Sequence, residues 1–249
     1  MKKVIVLLCL LLTVLPLGGC FSKFTAYLDG KKNEKLALEY VSDTYGIDAK
    51  VISKFAGDTD FIAGRSADEF TMKESSGEGF PFKIWVYEGE IEDEYPGCFM
   101  GNEISKNVSQ YLQEEYSEVI DSMKCYTNVE TSETELLTDM AKINKLPDGY
   151  IDISLYLVSA ETKDVQQDIL CSVYLYLQEM FDAFRLELYY LDAKDFKKIE
   201  EYLNENVTSL SVLYMLDIQP LSSFEYYKGS GVKDLEREEI ISMFEVFDE

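Results

Sequence analysis

The chain has 249 residues, of which 47 are acidic and 23 basic, so its formal net charge at pH 7 is −24, and it contains no histidine. This charge excludes nucleic acid as a partner and disfavours direct binding to anionic lipid, because both surfaces repel a strongly acidic chain. The absence of histidine excludes imidazole general-base catalysis, Ser-His and Cys-His nucleophile pairs, and His-ligated metal centres.

The first element along the chain is a hydrophobic leader. Met1-Lys2-Lys3 is basic, Val4–Leu15 is apolar apart from Thr13, and Pro16 ends the segment. Twelve helical residues span roughly 18 Å, which is less than the ~30 Å hydrocarbon core of a bilayer. The pattern therefore favours a cleaved signal segment over a membrane-spanning helix.

The leader ends in Leu17-Gly18-Gly19-Cys20, which resembles the lipobox of bacterial lipoproteins. The resemblance implies that residues 1–19 are removed, that the Cys20 thiol carries a diacylglyceryl group, and that the protein lies on the outer face of the cell membrane. Two acyl chains are enough for stable anchoring. The alternative is an ordinary signal peptide with a chance cysteine. Cleavage would remove two lysines and no acid, so the mature charge would be 21 − 47 = −26.

The region after the leader is predicted to contain a tether, two helices and three strands. Residues 20–32 form the lipidated tether. A helix is predicted over Asn33–Tyr45, because its apolar residues share one side and Gly46 follows as a C-terminal cap. The next predicted elements are a strand at Ala49–Phe55, a β-hairpin of Glu69–Glu74 and Phe80–Tyr87, an acidic loop over Glu88–Gly97, and a long helix over Asn102–Lys124.

From residue 126 onward the pattern alternates between strands and helices. Tyr150–Val158 is the clearest strand, with Ile151, Ile153, Leu155 and Leu157 on one face and Asp152, Ser154 and Tyr156 on the other. The other predicted elements are a helix from the capping-box pattern Ser132–Glu135 to about Ile143, a turn at Pro147–Gly149, a helix over Asp164–Phe181 capped by Asp164, a strand over Arg185–Leu191, a helix from the cap Asp192 to about Asn204, one or two strands within Ser211–Tyr227, and a final helix over Asp234–Phe247.

The two best strands each have one polar face, whereas a doubly wound parallel sheet would give continuous apolar runs. The sequence therefore predicts an α+β or α/β fold with two layers, in which helices pack on one face of mixed or antiparallel sheets, with two small lobes as an option. The predicted regions are the signal peptide 1–19, the tether 20–32, an N-terminal α/β region 33–125 and a C-terminal α/β region 126–249.

Apart from Cys20, the cysteines of the predicted mature chain are Cys98, Cys125 and Cys171. Their odd number and irregular spacing match neither a disulfide framework nor a Cys-x-x-Cys metal site. Cys98 and Cys125 bracket the predicted long helix, which would hold them too far apart to be joined. The sequence therefore predicts free thiols.

Two acidic segments contain clustered carboxylates, which are the ligands that calcium prefers. In the acidic loop, Glu90, Glu92, Asp93 and Glu94 are weak candidate ligands, although a solvated turn is the favoured interpretation in so acidic a chain. Asp58-Thr59-Asp60 with Asp68-Glu69 is spaced partly like an EF-hand loop. Ile62 and Ala63 occupy positions that need a ligand and a glycine, so the match is weak. The sequence indicates no cofactor.

Ser230-Gly231-Val232-Lys233 has the Ser-x-x-Lys spacing of penicillin-recognising enzymes. Those enzymes also need companion motifs of the Ser-Asp-Asn and Lys-Thr-Gly type, which the sequence lacks. A flexible linker is the favoured interpretation.

Residues 35–95 carry a second, looser resemblance. Glu39-Tyr40 and Tyr45-Gly46, the predicted hairpin and Asp93-Glu94-Tyr95 are similar to a group of uncharacterised Gram-positive lipoproteins. That resemblance implies no activity and assigns no functional residue.

Two functions remain open from the sequence. The favoured hypothesis is a lipid-anchored extracytoplasmic module that binds a basic protein, peptide or wall component, because no nucleophile–base set is present and tyrosines are abundant. The alternative is a carboxylate-dependent hydrolase acting on cell-wall glycan. A cleft with two carboxyl groups and one raised pKa would favour the enzyme, and a broad tyrosine surface would favour the binding module.

Overall fold

The computed structural model describes residues 30–55, 67–76, 79–131, 151–158, 162–206 and 212–246. These residues form helices packed against a four-stranded and a five-stranded sheet, so the predicted α+β class is confirmed. The chain divides into two compact units, one comprising residues up to 79 with 84–92, and the other comprising residues 80–83 with 93–249. No helix in the described ranges is long and apolar enough to cross a membrane.

The first unit begins with helix α1, residues 30–45. Gly46 ends it with a positive φ of 69°, and its N–H donates to the Ser42 carbonyl at 3.0 Å, so the predicted glycine cap is confirmed. The helix starts three residues before the predicted Asn33. Buried side chains of this unit come from α1 and the sheet: Ala37, Val41, Phe70, Met72, Ile84 and Val86.

The four-stranded sheet has the order β1-β2-β3-β4. Its strands are β1 Ala49–Phe55, β2 Asp68–Glu74, β3 Phe82–Tyr87 and β4 Glu90–Asp93. β1 coincides with the predicted strand and pairs antiparallel with β2, with an irregularity in the register between Val51 and Ser53. β2 and β3 are neighbours, as the predicted hairpin requires.

The predicted acidic loop over Glu88–Gly97 is wrong. Glu88 and Gly89 have positive φ angles of 50° and 88°, and they form a tight turn that leads directly into β4. Primed hairpin turns need positive φ, which Gly89 adopts without strain. Helix α2 then starts at Tyr95, with Pro96 in its first turn, where the missing N–H of proline costs nothing. The many acidic residues of this segment favoured a loop, although Gly89 is also typical of a tight hairpin turn.

The second unit holds the five-stranded sheet, in the order β5-β6-β7-β8-β9. β6 and β7 are parallel, and the other pairs are antiparallel. The strands are β5 Ser122–Val129, β6 Ile151–Val158, β7 Phe184–Tyr190, β8 Ser222–Lys228 and β9 Glu245–Val246, and the helices are α2 Tyr95–Tyr116, α3 Lys163–Met180, α4 Ala193–Glu205, α5 Val212–Met215 and α6 Arg237–Ser242.

Helix α2 ends at Tyr116 rather than at the predicted Lys124. The N–H groups of Val119 and Ile120 both donate to the Tyr116 carbonyl, and the chain turns back as β5. Built Cβ atoms on Gly97 and Gly101 would lie 2.0 Å from the carbonyl oxygens of Val129 and Thr127. These glycines therefore let the helix backbone lie directly against β5.

The main core lies on the inner face of the five-stranded sheet, beneath α2, α3 and α6. The predicted inward residues of β6 (Ile151, Ile153, Leu155 and Leu157) are all buried there, so that assignment is confirmed. α2 contributes Ile104, Val108 and Leu112, and α3 contributes Ile169, Val173 and Leu177. Helix α2 and strand β5 belong to the second unit.

The outer face of the same sheet is partly covered by α4 and α5. Tyr156 of β6 is only 2% exposed and packs with Phe196, Ile199 and Leu203 of α4 and Val212 of α5. The polar alternation therefore separates the two faces correctly. Among the described residues, helices cover one half of the outer face and leave the other half open.

Several boundaries in the second unit differ from the predictions. Thr162, not Asp164, precedes α3 as its N-cap, whereas Asp192 caps α4 as predicted, accepting from the Asp195 N–H at 2.7 Å. Val212–Met215 is a short helix and Ser222–Lys228 is a strand. The final helix is shorter than predicted because Met243 ends it and β9 follows. The helix and turn predicted within residues 132–150 lie outside the described residues.

Candidate functional site

The half of the outer face that the described helices do not cover carries mainly polar side chains. Strand register places its side chains in two adjacent rows across β5, β6, β7 and β8. One row is Asn128, Asp152, Arg185 and Tyr227, and the other is Tyr126, Ser154, Glu187 and Glu225. We call these eight residues the open sheet face.

Arg185 joins the carboxylates of two neighbouring strands. Its guanidinium Nη2 lies 2.7 Å from Glu187 Oε1 and 2.6 Å from Glu225 Oε1. Desolvation would lower the pKa of Arg185, but the hydrogen bond to Glu225 and the nearby carboxylates outweigh it and raise the pKa. The guanidinium is therefore held in one place as a permanent cation.

Glu187 is the most enclosed carboxylate of the open sheet face. Its side chain is 12% exposed, and the Ser154 hydroxyl donates to its Oε2 at 3.1 Å while Arg185 binds Oε1. Both carboxylate oxygens therefore have a partner, which is what a nearly buried charge requires.

Asp152 differs from Glu187 in its environment. Partial burial raises its pKa, Glu130 and Glu187 raise it further, and Arg185 opposes them. Asp152 lies directly opposite Arg185 and diagonally from Glu187, so the two carboxyl groups share one face of the parallel strand pair.

Tyrosines occur on both halves of the outer face. Tyr156 and Tyr189 stack with ring centroids 5.7 Å apart in the half near α4, and burial raises the pKa of each phenol above its ordinary value. Tyr227, at the open end, is 47% exposed. Tyr126 is half-buried on β5.

The open sheet face thus offers three carboxyl groups, one guanidinium, a hydroxyl, an amide and two phenols. Such a set can form hydrogen bonds and ion pairs with a cationic or polar partner. Within the described ranges, no group of three or more Asp, Glu or Cys side chains has the arrangement of a metal site.

The residues predicted as weak calcium ligands lie elsewhere, on β4 and at the start of α2. The Tyr87 hydroxyl donates to Glu92 Oε1 at 2.6 Å, and Asp93 Oδ1 accepts from the Tyr95 N–H at 2.9 Å. Glu90 lies on β4 with Glu92, and Glu94 is the N-cap of α2. The side chains of Glu92 and Asp93 therefore help to end the hairpin and start the helix, whereas the Glu94 side chain makes no capping hydrogen bond.

None of the eight residues of the open sheet face comes from the other predicted motifs. Cys20 and most of the EF-hand-like loop lie outside the described residues, and Asp68 accepts from the Asn33 side-chain amide at 2.8 Å. Lys233 of the Ser-x-x-Lys sequence pairs with Glu236 at 3.3 Å on an exposed segment.

Cys98, Cys125 and Cys171 are free thiols. Burial raises the pKa of the Cys125 thiol to about 11, and it also raises the pKa values of Cys98 and Cys171. These thiols stay protonated at neutral pH and are poor nucleophiles. Helix α2 ends at Tyr116 and not at Lys124, so its length does not hold Cys98 and Cys125 apart in the way that the sequence predicts.

The sequence assigns four of the eight residues of the open sheet face to the polar side of a strand. The alternation of β6 and β7 placed Asp152, Ser154, Arg185 and Glu187 on polar faces, but it did not show that these strands are neighbours. Glu225 and Tyr227 lie in a segment whose strand was predicted without a boundary, so their register was missing.

No family model and no curated protein matches the chain. Among solved structures, the chain is similar to a DUF5037 family protein from Ruminococcus gnavus, with a TM-score of 0.57 and 15% sequence identity. The similarity covers 84% of this chain and 97% of that protein. At this identity the similarity establishes a shared fold.

Proposed function

We propose that this chain is an extracytoplasmic lipoprotein, anchored to the outer face of the cell membrane through Cys20, that binds a basic protein, peptide or wall component without chemical turnover. The open sheet face is the recognition surface. The observation that carries the proposal is the excess of three carboxyl groups over one guanidinium, beside the exposed Tyr227, on the half of the sheet that the described helices do not cover.

The arrangement suits recognition because its charges are positioned before a partner arrives. Arg185 fixes Glu187 and Glu225, so little side-chain freedom is lost when a partner binds. Tyr227, which is 47% exposed, supplies rigid apolar area with a polar end, a combination enriched at binding sites. The acidic chain adds long-range attraction for cations, which salt screens.

The anchor is tested by Cys20→Ala. The leader sequence supports cleavage before Cys20, so this substitution should abolish incorporation of a fatty-acid label and release the protein from the membrane fraction. Unprocessed Cys20→Ala protein that still sediments with the membrane would instead indicate that Val4–Leu15 is an uncleaved anchor.

Recognition is tested with an oligolysine peptide and an oligoglutamate control, each titrated into the purified protein at low and high salt. Oligolysine should bind at low salt, and its affinity should fall as salt increases, whereas oligoglutamate should not bind. Envelope extracts passed over the immobilised protein then provide candidate partners. Binding of both peptides alike, or binding unaffected by salt, would contradict the electrostatic part of the proposal.

A matched pair of charge reversals locates the surface. Glu225→Lys changes the open sheet face, and Glu179→Lys makes the same charge change at an exposed position of α3. Glu225→Lys should reduce oligolysine affinity several-fold more than Glu179→Lys. Equal losses would mean that total charge, and not this surface, governs binding.

A carboxylate hydrolase is the second candidate, favoured by one observation. Asp152 has a raised pKa beside the ion-paired Glu187, and glycoside hydrolysis uses two carboxyl groups held in different protonation states. Hydrolysis of wall glycan that disappears in both Asp152→Asn and Glu187→Gln would establish this candidate in place of the binding module.

A further inference from the structure

A shallow cavity of about 240 Å³ lies on the helices that cover the inner face of the five-stranded sheet. Asn107, Gln110, Tyr111 and Glu114 of α2 and Tyr176 of α3 line it. The four α2 residues are spaced i, i+3, i+4 and i+7, so they form one strip along that helix. This cavity is separate from the open sheet face.

Two tyrosines from different helices form its aromatic wall. The rings of Tyr111 and Tyr176 are parallel within 5°, with centroids 4.2 Å apart. The hydroxyl oxygens of Tyr111 and Ser172 are 2.6 Å apart, which holds Tyr111 to the facing helix. The stack is therefore fixed in advance, and a ligand can contact the outward face of a ring without reorganising it.

The charge of the cavity is negative. Glu114 is the charged member of its lining, and none of the five lining residues is basic. The Gln110 amide donates to Glu114 Oε1 at 2.8 Å, which orients the carboxylate without neutralising it. Burial raises the pKa of the Tyr176 phenol, and Tyr111 and Glu114 raise it further. The Glu114 carboxylate is therefore close enough to Tyr176 to affect it electrostatically.

We propose that this cavity binds an alkylammonium group, held over a tyrosine ring with Glu114 as its counter-ion. A cation within about 6 Å of a ring centroid is attracted by the negative face of the ring, and the carboxylate adds a direct charge. The cavity is smaller than the ~300–1,000 Å³ typical of pockets for drug-sized ligands, so it fits one ammonium group rather than an oligosaccharide.

The test uses the full chain in a maltoside detergent, which carries no ammonium group. Saturation-transfer NMR titrations compare choline with 3,3-dimethylbutan-1-ol, which has the same shape with carbon in place of the charged nitrogen. Choline should bind at least tenfold more tightly than the alcohol. A parallel titration with N-acetyl-lysine amide separates a lysine side chain from a free quaternary ammonium compound as the source of the group, since the tighter probe identifies it.

Variants connect the binding to this cavity. Glu114→Gln and Tyr176→Leu should each weaken the binding of the tighter cationic probe roughly tenfold. Glu115→Gln, at the next exposed position of α2, should leave it unchanged. Because Glu114 is also exposed, Glu114→Gln keeps the fold even if Tyr176→Leu does not. Equal binding of choline and the alcohol, full affinity in Glu114→Gln, or tighter binding of N-acetylglucosamine than of choline would overturn the proposal.

Discussion

The two halves of the outer face of the five-stranded sheet have the same strand pattern and different surroundings. Along β6, Asp152, Ser154 and Tyr156 all point outward, yet Tyr156 is buried beneath α4 whereas Asp152 is half-buried on the open sheet face. Alternation therefore identifies the face of a residue, but whether that face is wet depends on which helix packs there.

The halves are also held together by different forces. The half beneath α4 is an apolar cluster around Ile199 and Leu203, stabilised by removal of carbon surface from water. The open half is organised by Arg185 and its two carboxylates. The ion pair with the exposed Glu225 contributes only about 0–1 kcal/mol, so a bound partner can replace it at little cost to stability.

The largest expected loss of stability is on the inner face, and the losses on the two outer halves can be compared with it. Ile153→Asp places an unpaired charge in the main core, where Ile153 is 1% exposed, and should cost several kcal/mol or unfold the domain. Urea unfolding followed by circular dichroism measures the loss. A small loss would mean that the core assigned to this face is wrong.

On the covered half, Ile199→Ala should lower the free energy of unfolding by about 2–5 kcal/mol, because Ile199 is fully buried between α4 and the sheet. Glu200→Ala, at the next and exposed position, should change stability by less than about 0.5 kcal/mol. Similar losses in the two variants would show that α4 does not cover this half.

The third prediction concerns the close approach of α2 to β5, and it is the second on the inner side of the sheet. Gly101→Ala should destabilise the domain by roughly 1–3 kcal/mol, since the added Cβ would meet the Thr127 carbonyl oxygen at 2.0 Å. Helix propensity alone predicts the opposite sign, a gain of about 1 kcal/mol. The sign of the change in the urea midpoint therefore decides between packing and propensity.

On the open half, Ser154→Asp should cost about 1–2 kcal/mol. The alternation alone predicts a nearly silent change at this outward position, but Ser154 donates to Glu187, and the new carboxylate would face Glu187 without a proton to donate. Ser154→Ala separates the two causes, because it loses the hydrogen bond without adding charge. Equal stability of Ser154→Asp and the unchanged protein would mean that Glu187 does not depend on Ser154.

The smallest effect is a pH dependence at Asp152. Its pKa in the fold is raised above that of the unfolded chain, so its contribution to stability is fully present below the unfolded pKa of ~3.9 and is lost as the pH rises through the folded pKa. Asp152→Asn should therefore look more stable, relative to the unchanged protein, at pH 7 than at pH 3. The exposed Glu179→Gln controls for the loss of one negative charge.

Much of the secondary structure could be predicted from local sequence. Gly46 and Asp192 identified helix ends because caps depend on residues within one turn. The inner face of β6 was predicted because its alternation is unbroken. The end of α2 at Tyr116 was missed because apolar spacing continued through Val119 and Ile120, where the chain already turns.

The sequence by itself determined the leader pattern, the charge, the lack of histidine chemistry and the inward residues of the strands. The tertiary structure alone decided that Asp152 faces Arg185, that Glu187 faces Glu225, and that α4 covers only one half of the outer face. Face alternation repeats every two residues and is therefore local, whereas strand pairing joins residues more than thirty positions apart, such as Ser154 and Glu187. The candidate site is formed by that pairing, so local sequence patterns alone do not predict it.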